Sequence, residues 1–560
     1  MTELKDQKLI QEILKRQHQL EGIREQYENI WEEVSYFGCS RRTDFKGHEQ
    51  PGKKKGIQIF DGTPASALNL YVDGIMGYHI SRALEWFDYR IGGYKLKALN
   101  DEREVRIWLQ EVRESVYWEL NRSNFYDAIR EFLLDGASIG NANIFIDENI
   151  AENVLTFLVK HPKQIWFSEN YLGEIDVVHR KFELNARQAV QDFGKENVSD
   201  NIRKALEQNR IDQKFEFLQA IYPIDDYIVN EYDSGAKKYK KFHKYISYYI
   251  EVDKKILLRR GGFRVLNPII WRMKKYSGED YGRGLMGDAI SEVKRLNSAS
   301  RTEMEVAQLS AEPPFNIPFE MKDNVDITPH GQNYYRDAGR IIAPINTGAN
   351  YPITEEFIER LKRAIEKHFQ VEFFLMLARS EGTMTATEII EKQGEKVALM
   401  SSLFGQLNSR INLIHDRILN LMFLAGKLPP IPGILMSQTG GFFNIDVDYV
   451  GPLAEAQKRL FKARGIRQSL EVAAPYIEMF PGIKVLLKDV ELGRELFLTH
   501  GMPAKVMRDD DEVAKILEQI AVREQQAFEM EMAEKESKIA QKLQKPMEEG
   551  SIMKKLVEGE

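Results

Sequence analysis

From Leu4 to Val34 the apolar residues Leu9, Ile10, Ile13, Leu14, Leu20, Ile23, Tyr27, Ile30, Trp31 and Val34 recur in roughly helical steps between charged residues. That spacing lays one apolar stripe along a helix, so an amphipathic opening helix is expected, with Gly22 as its candidate break. A loop rich in Lys and Gly follows from Arg41 to Gly56, and helical spacing resumes over Thr63–Arg82 and Glu102–Asp135. Between Asn141 and Trp271 the pattern changes to short runs of aromatic and β-branched residues: NIFIDE, VLTFLV, QIWF, EIDVVHRKFEL, KFEFLQAIYPI, HKYISYYIEV and KKILLRR. Separated by turn residues, such runs predict strands, and Asn185–Phe193 and Ile202–Gln208 read as helical inserts among them.

A helical pattern then runs from Leu285 to about Leu309 and stops at Pro313 and Pro314, which cannot continue a helix. Residues 311–353, rich in Pro, Gly, Asn and aromatics, predict a compact insert with some strand. Thr354 is expected to cap the next helix, TEEFIERLKRAIEKHFQVEFFLML, whose acidic first turn suits the helix dipole. Past a short polar break at Arg379–Thr383, a longer helix is predicted over Thr385–Gly426, closed by LPPIPG. FFNIDVDYVG reads as a strand, and a helical region is expected from about Pro452 onward. The result is an α+β chain in which two long helices bracket a compact insert, with no internal repeat at solenoid spacing.

Charge sharpens this picture. The 560 residues carry 78 Lys plus Arg against 85 Asp plus Glu, a formal net charge of -7. Asp509 to Glu560 alone holds 14 acidic and 8 basic residues, a net of -6, so the acidity is local and the rest of the chain is almost balanced. A net charge of -7 argues against a simple basic nucleic-acid binder. Hydrophobic residues at 43% and charged residues at 29% fit a folded chain, and its length suggests about three to five structural units. The single cysteine, Cys39, allows no intramolecular disulfide and no thiolate cluster, as suits a reducing cytoplasm. The charged N-terminal segment lacks a signal-peptide core. The most apolar stretch, Ile418–Met436, is interrupted by Asn420, Gly426, Lys427 and three prolines, so no membrane span is expected.

The sequence holds no GxxxxGK[ST] loop, GxSxG elbow, HExxH, CxxC or suitably placed GxGxxG. Lys53–Lys55 could touch phosphate, but short basic runs are common in solvated loops. Tyr281-Gly-Arg-Gly284 precedes a helix as anion-binding loops do, yet lacks a Lys-Ser or Lys-Thr and reads better as a structural turn. Asp446 and Asp448 alternate on a strand and could share a metal, although a third ligand is missing nearby and solvated strand residues are the simpler reading. Asp509–Asp511 reads as an acidic helix start. The ten His residues show no metal-ligand spacing. No catalytic residue, metal or cofactor is assigned.

The second bracketing helix carries more information. Phe357, Leu361, Ile365, Phe369, Phe373 and Met376 form an apolar stripe, and Arg360, Arg363 and Lys367 form a basic one on another face. The basic stripe either meets phosphate or is neutralised along the helix by Glu356, Glu359 and Glu366.

Several segments, in order, resemble the head-to-tail connector (portal) proteins of short-tailed bacteriophages. They are IFDGT at 59–63 with Trp86-Phe87, GEIDVVHRKFELNARQ at 173–188, YGRG at 281–284, RLN at 295–297 and EPP at 312–314. MTATEI at 384–389, AGKLPPIP at 425–432 and VDYVGPLAEAQ at 447–457 complete the series. The chain departs from the family pattern at Cys39-Ser40-Arg41-Arg42, where a proline precedes the Arg pair, and at Ser409-Arg410, where an acidic residue stands.

The resemblance implies a portal fold assembled as a ring, typically of twelve copies, at one capsid vertex of the virion, after synthesis in the host bacterial cytoplasm. It implies a wing over 1–284, a first stem helix over 285–310, a clip over 311–353 and a second stem helix over 354–377. A tunnel loop at 378–385, a long wing helix and strand over 386–451, and a helical crown with an acidic tail over 452–560 complete the order. The implied partners are the large terminase, the major capsid and scaffolding proteins, tail adaptor and nozzle proteins, and double-stranded DNA sliding through the channel. Arg379, Ser380, Glu381, Gly382, Thr383 and Met384 become the expected channel constriction, and Arg360, Arg363 and Lys367 candidate lumen residues of the stem. The rival classes are a helical scaffold or tail-adaptor protein and a metal-dependent nucleic-acid enzyme using Asp446 and Asp448.

Overall fold

The opening apolar stripe forms one helix, α1, over Thr2–Gly38. Gly22 does not break it, because an internal glycine costs only about 1 kcal/mol relative to alanine and both flanks are anchored. Leu9, Ile10 and Ile13 lie under the largest sheet, Arg24 stacks 3.7 Å from the Trp166 ring centroid, and Trp31 sits edge-on to Tyr281 at 5.1 Å. The computed structural model describes residues 2–46, 55–311, 315–317, 319, 326, 343–344, 351–378, 386–440, 443–450, 508 and 510–543, with 469, 475, 490 and 492–493. The chain divides into two units, 1–457 and 458–560.

In the first unit α2 spans Thr63–Tyr78 and strand β1 spans Phe87–Ile91. The long helical pattern that follows is two helices, α3 over Arg103–Arg122 and α4 over Phe125–Ser138. The break falls where the Ser123 hydroxyl turns back to the Leu120 carbonyl, a local competition with helical bonding that serine favours, and where the Asn124 amide leaves the helix to donate to the Phe157 carbonyl and accept its N–H.

The β-rich stretch builds two antiparallel sheets. Strands β2 (Asn141–Asn149), β3 (Val154–Val159) and β9 (Ile269–Arg272) pair in the order β3-β2-β9. Strands β4 (Ile165–Glu169), β5 (Ile175–Asn185), β6 (Lys214–Pro223), β7 (Tyr245–Glu251) and β8 (Ile256–Phe263) pair in sequence order. Helices α5 (Ala186–Phe193) and α6 (Asp200–Glu207) cover part of this sheet through Phe193, Ile202 and Phe217, and α7 spans Tyr227–Tyr232.

Helix α8 runs over Leu285–Ala311. Two short strands follow, β10 (Phe315–Asn316) and β11 (Ala343–Pro344), paired antiparallel; most of the expected insert lies outside the described residues. Helix α9 begins at Tyr351 rather than at a Thr354 cap, and ends at His368. A proline is tolerated in a helix's first turn, where its missing N–H is not needed, so Pro352 permits the earlier start. The predicted continuous helix is interrupted: Gln370 takes φ 53 and α10 resumes over Val371–Ala378. Helix α11 spans Ala386–Leu424, α12 spans Gly433–Thr439 and β12 spans Ile445–Tyr449. One core joins α2, α3, α4, β2, β9, α8, α9, α10 and α11.

In the second unit a helix spans Asp510–Leu543; the rest of the expected crown is outside the described residues apart from single positions. Among the described residues no helix is long and apolar enough to cross a membrane.

Candidate functional site

Helices α8 and α9 contribute to a shared apolar core containing Val293 and Leu296 from the first and Ile358, Leu361 and Ile365 from the second. Phe369, Phe373 and Phe374 continue that core beyond the break. Phe357, expected in the stripe, is 38% exposed and Ile358 turns inward instead. At 3.6 residues per turn each step of four drifts by about 40°, so a run of fours from Phe369 carries Phe357 off the buried face. The Arg360 guanidinium lies 5.3 Å over its ring.

Arg360, Arg363 and Lys367 all face solvent in the single chain. Among the described residues the expected pairing with Glu356, Glu359 and Glu366 does not form. Glu359 instead meets Lys362 at 3.6 Å, and Lys362 reaches Asp61 at 3.7 Å. Three adjacent cations therefore project from α9 without carboxylate partners among the described residues. The six constriction candidates, Arg379, Ser380, Glu381, Gly382, Thr383 and Met384, lie outside the described residues.

The segment before α2 fixes this helix pair in place. Asn297 on α8 accepts the Phe60 N–H at 2.8 Å and donates to the Gln58 carbonyl at 3.0 Å. Asp61 accepts the Thr63 N–H at 2.7 Å as α2 begins. On α10, Phe374 packs edge-on to Tyr71 at 5.8 Å and fills the space over Gly74, where a Cβ would come within 2.2 Å of the ring.

Other motifs also occupy joints between elements. Gly282 donates its N–H to Asn141 Oδ1 at 2.8 Å and accepts from Asn141 Nδ2 at 3.0 Å. Gly284 sits so close to the Ser138 carbonyl that a Cβ would approach its oxygen to 2.4 Å, which makes YGRG a packing turn. His179, fully buried, bridges Gln17 Oε1 at 2.9 Å and the Tyr222 hydroxyl at 2.7 Å. Because a carbonyl oxygen can only accept, Nδ1 carries the proton and Nε2 accepts from Tyr222. Phe87 stands opposite Tyr449 in the β1–β12 pair, and the Tyr89 hydroxyl meets His415 Nδ1 at 2.8 Å. Lys427 reaches Glu119 at 3.2 Å. Spacing along the sequence reveals none of these joints, since their partners are remote; the signal that marks them is the ordered series of short motifs.

Burial governs the electrostatics. It holds His79 at about 4 and His161, His179 and His415 at about 3, so all four are neutral imidazoles at pH 7. Burial pushes the Asp135 carboxyl up to about 7, although Arg42 pulls the other way from 2.9 Å. Asp416 is raised by burial and then by Asp446. Asp446 and Asp448 stand opposite Arg90 and Asp88 across β1–β12. Among the described residues no group of three or more His, Cys, Asp or Glu could hold a metal ion.

Residues 10–507 match the family described as "Bacteriophage head to tail connecting protein". The chain is 24% identical over 474 residues to the probable portal protein of Bordetella phage BPP-1, covering 82% of this chain and 81% of that protein. It is 24% identical over 461 residues to the portal protein of Salmonella phage epsilon15, covering 80% of each. A solved structure titled "Neck of empty GTA particle computed with C6 symmetry" aligns with TM-score 0.34 and 11% identity, over 72% of this chain and 86% of that one. With a match that spans nearly the whole sequence and contains the α8–insert–α9 arrangement, the chain belongs to the bacteriophage head-to-tail connecting protein family.

Proposed function

We propose that this protein is the portal subunit of a phage capsid, a structural ring component at one vertex through which DNA enters the head and later leaves it. The observation that carries this reading is the family match over residues 10–507. On this reading α8 and α9 are the stem, 311–353 the clip, 378–385 the tunnel loop, and 452–560 the crown with its acidic tail. The wing comprises 1–284 with 386–451. Terminase docks on the clip during packaging and tail adaptor proteins take its place afterwards. Twelve copies close the ring through head-to-tail contacts, in which one face of each subunit meets a different face of the next.

Such a conduit needs no catalytic residue and must let duplex DNA slide. A continuous basic lining would hold it, because each neutralised phosphate releases counterions and strengthens binding. Almost all of the net charge of -7 lies after Arg508, so the remainder, with 70 basic against 71 acidic residues, is nearly balanced and carries no net positive charge with which to hold DNA. Arg360, Arg363 and Lys367 are assigned to the lumen and Arg379–Met384 to the constriction, with Gly382 as its pivot.

Negative-stain imaging of the purified protein tests the reading. A ring with a bore wide enough for duplex DNA is expected; a protein that stays monomeric under all assembly conditions overturns it. Deleting Ser380–Thr383 should spare the ring and impair passage or retention of DNA. Particles that fill and retain genomes normally would remove that loop from the constriction.

A further inference from the structure

The loop between α7 and β7 carries a charge pattern that the strand-like run HKYISYYIEV hides, since that run begins inside it. Lys237, Lys238, Lys240, Lys241 and Lys244 fall within eight residues that also hold Tyr239, Phe242 and His243 and no acid. All five lysines are exposed. Phe242 is 68% exposed, unusual for a residue type that prefers the interior. The ammonium groups of Lys238 and Lys241 lie 5.1 and 5.4 Å from the rings of Tyr239 and Phe242. Lys240 meets Asp225 at 2.5 Å; among the described residues the other four have no carboxylate partner.

This loop is fixed in shape. Asp233 accepts the Gly235 N–H at 2.9 Å. The Tyr239 carbonyl accepts from Phe242 at 3.0 Å and His243 at 2.9 Å, and the Lys244 N–H reaches the Phe263 carbonyl at 3.0 Å. Ala236 is buried in the core beneath the five-stranded sheet. The His243 ring lies over Gly262, where a Cβ would come within 2.3 Å of Cδ2. The cations and the exposed ring are therefore presented on a preorganised turn, which lowers the ordering cost of binding.

Five like charges so close together repel one another; among the described residues Asp225 alone closes an ion pair with them, and Asp176 lies within the field of Lys244. A polyanion would relieve that repulsion. Lysines act as point charges that meet phosphate oxygens without fixed orientation, which suits a backbone gripped without regard to its sequence. An exposed aromatic ring among the cations adds a face for sugar or base. We propose that residues 237–244 form a non-specific nucleic-acid-binding surface that grips the phosphate backbone. This surface lies at the five-stranded sheet, on elements other than α8 and α9, and so goes beyond the conduit reading.

The test is filter binding of the full-length protein to closed-circular duplex DNA across a salt series. A closed circle cannot thread a pre-assembled ring, so channel contacts stay out of the readout. The variant K237E/K238E/K241E/K244E is compared with K95E/K97E/K195E/K254E, an equal charge change at exposed lysines elsewhere. The loop variant should lose at least about tenfold more affinity than the control, and its log-log salt slope should flatten by about 3.6, at about 0.9 for each of four phosphate contacts removed. Phe242→Ala should weaken binding and leave the slope unchanged. Equal losses in the two quadruple variants would overturn the proposal. So would displacement of the DNA by charge-matched poly-glutamate as readily as by unlabelled DNA, which would identify an acidic protein surface as the partner instead.

Discussion

Asn297 clasps the chain at Phe60 through both ends of its amide, accepting the Phe60 N–H at 2.8 Å and donating to the Gln58 carbonyl at 3.0 Å. Two segments 237 positions apart are thereby locked together where α8 meets the entry to α2. Each such bond contributes about 0.5–1.5 kcal/mol, so Asn297→Ala should lower unfolding free energy by about 1–2 kcal/mol in a urea titration. Asn297→Asp keeps the acceptor and loses the donor, and should fall between the two. No difference between wild type and Asn297→Ala would show that the clasp is absent in solution.

Glu119 is fully buried, with Lys427 at 3.2 Å and the Leu155 N–H at 2.7 Å on the same oxygen. Lys427→Met would leave the carboxylate without its cation. Breaking one partner of a buried pair costs about 3–5 kcal/mol, a loss visible as an earlier denaturation midpoint. Glu119→Gln combined with Lys427→Met should recover part of it, because the uncompensated charge is gone.

Acid should weaken the fold partly through its buried histidines. His415 is held at about 3 inside the protein and near 6.5 when unfolded. As pH falls below about 6.5 the unfolded chain takes up a proton that the folded chain refuses, and stability declines. His415→Gln removes this contribution, so its stability should fall less steeply between pH 7 and 5, by up to about 1.4 kcal/mol per pH unit. Asp135 acts in the opposite sense: raised to about 7 when folded against an ordinary 3.8, it gains a proton first in the folded state and adds stability as pH falls through that window. Asp135→Asn should therefore steepen the acid loss. Melting temperatures across that range check both signs.

The cations on α9 are exposed and lack carboxylate partners among the described residues, so replacing Arg360, Arg363 and Lys367 together by Gln should change stability by less than about 1 kcal/mol. Rings should still form. If these residues line the bore, the amount of DNA packaged per particle should change; unaltered packaging would place them at a subunit boundary instead.

Helical spacing is enough to find α8 and α11 because each buries a stripe against one core. Spacing cannot detect the interruption at Gln370, since Phe369 and Phe373 carry the apolar pattern straight across the left-handed residue. It likewise overrates Gly22, whose intrinsic cost is small beside the anchors on either side. In the candidate site, the basic stripe on α9 is legible because charge and periodicity are local properties. The Asn297 clasp and the Phe87–Tyr449 pairing are illegible by the same rule, as hydrogen-bond partners distant in sequence leave no periodic trace. The lysine-rich loop leaves no mark in the strand pattern, because that pattern starts at His243 and the five cations around it carry no apolar alternation.

The unbroken first helix has a mechanical consequence. Thirty-seven residues of helix measure about 55 Å, and α1 is fastened along that length: Leu9 and Ile13 under the large sheet, His179 to Gln17, and Lys294 of α8 to Glu33. A strut bolted at several points cannot stretch between them. One continuous helix therefore connects the neighbourhood of α8 to the five-stranded sheet, with no loop between them to absorb a displacement.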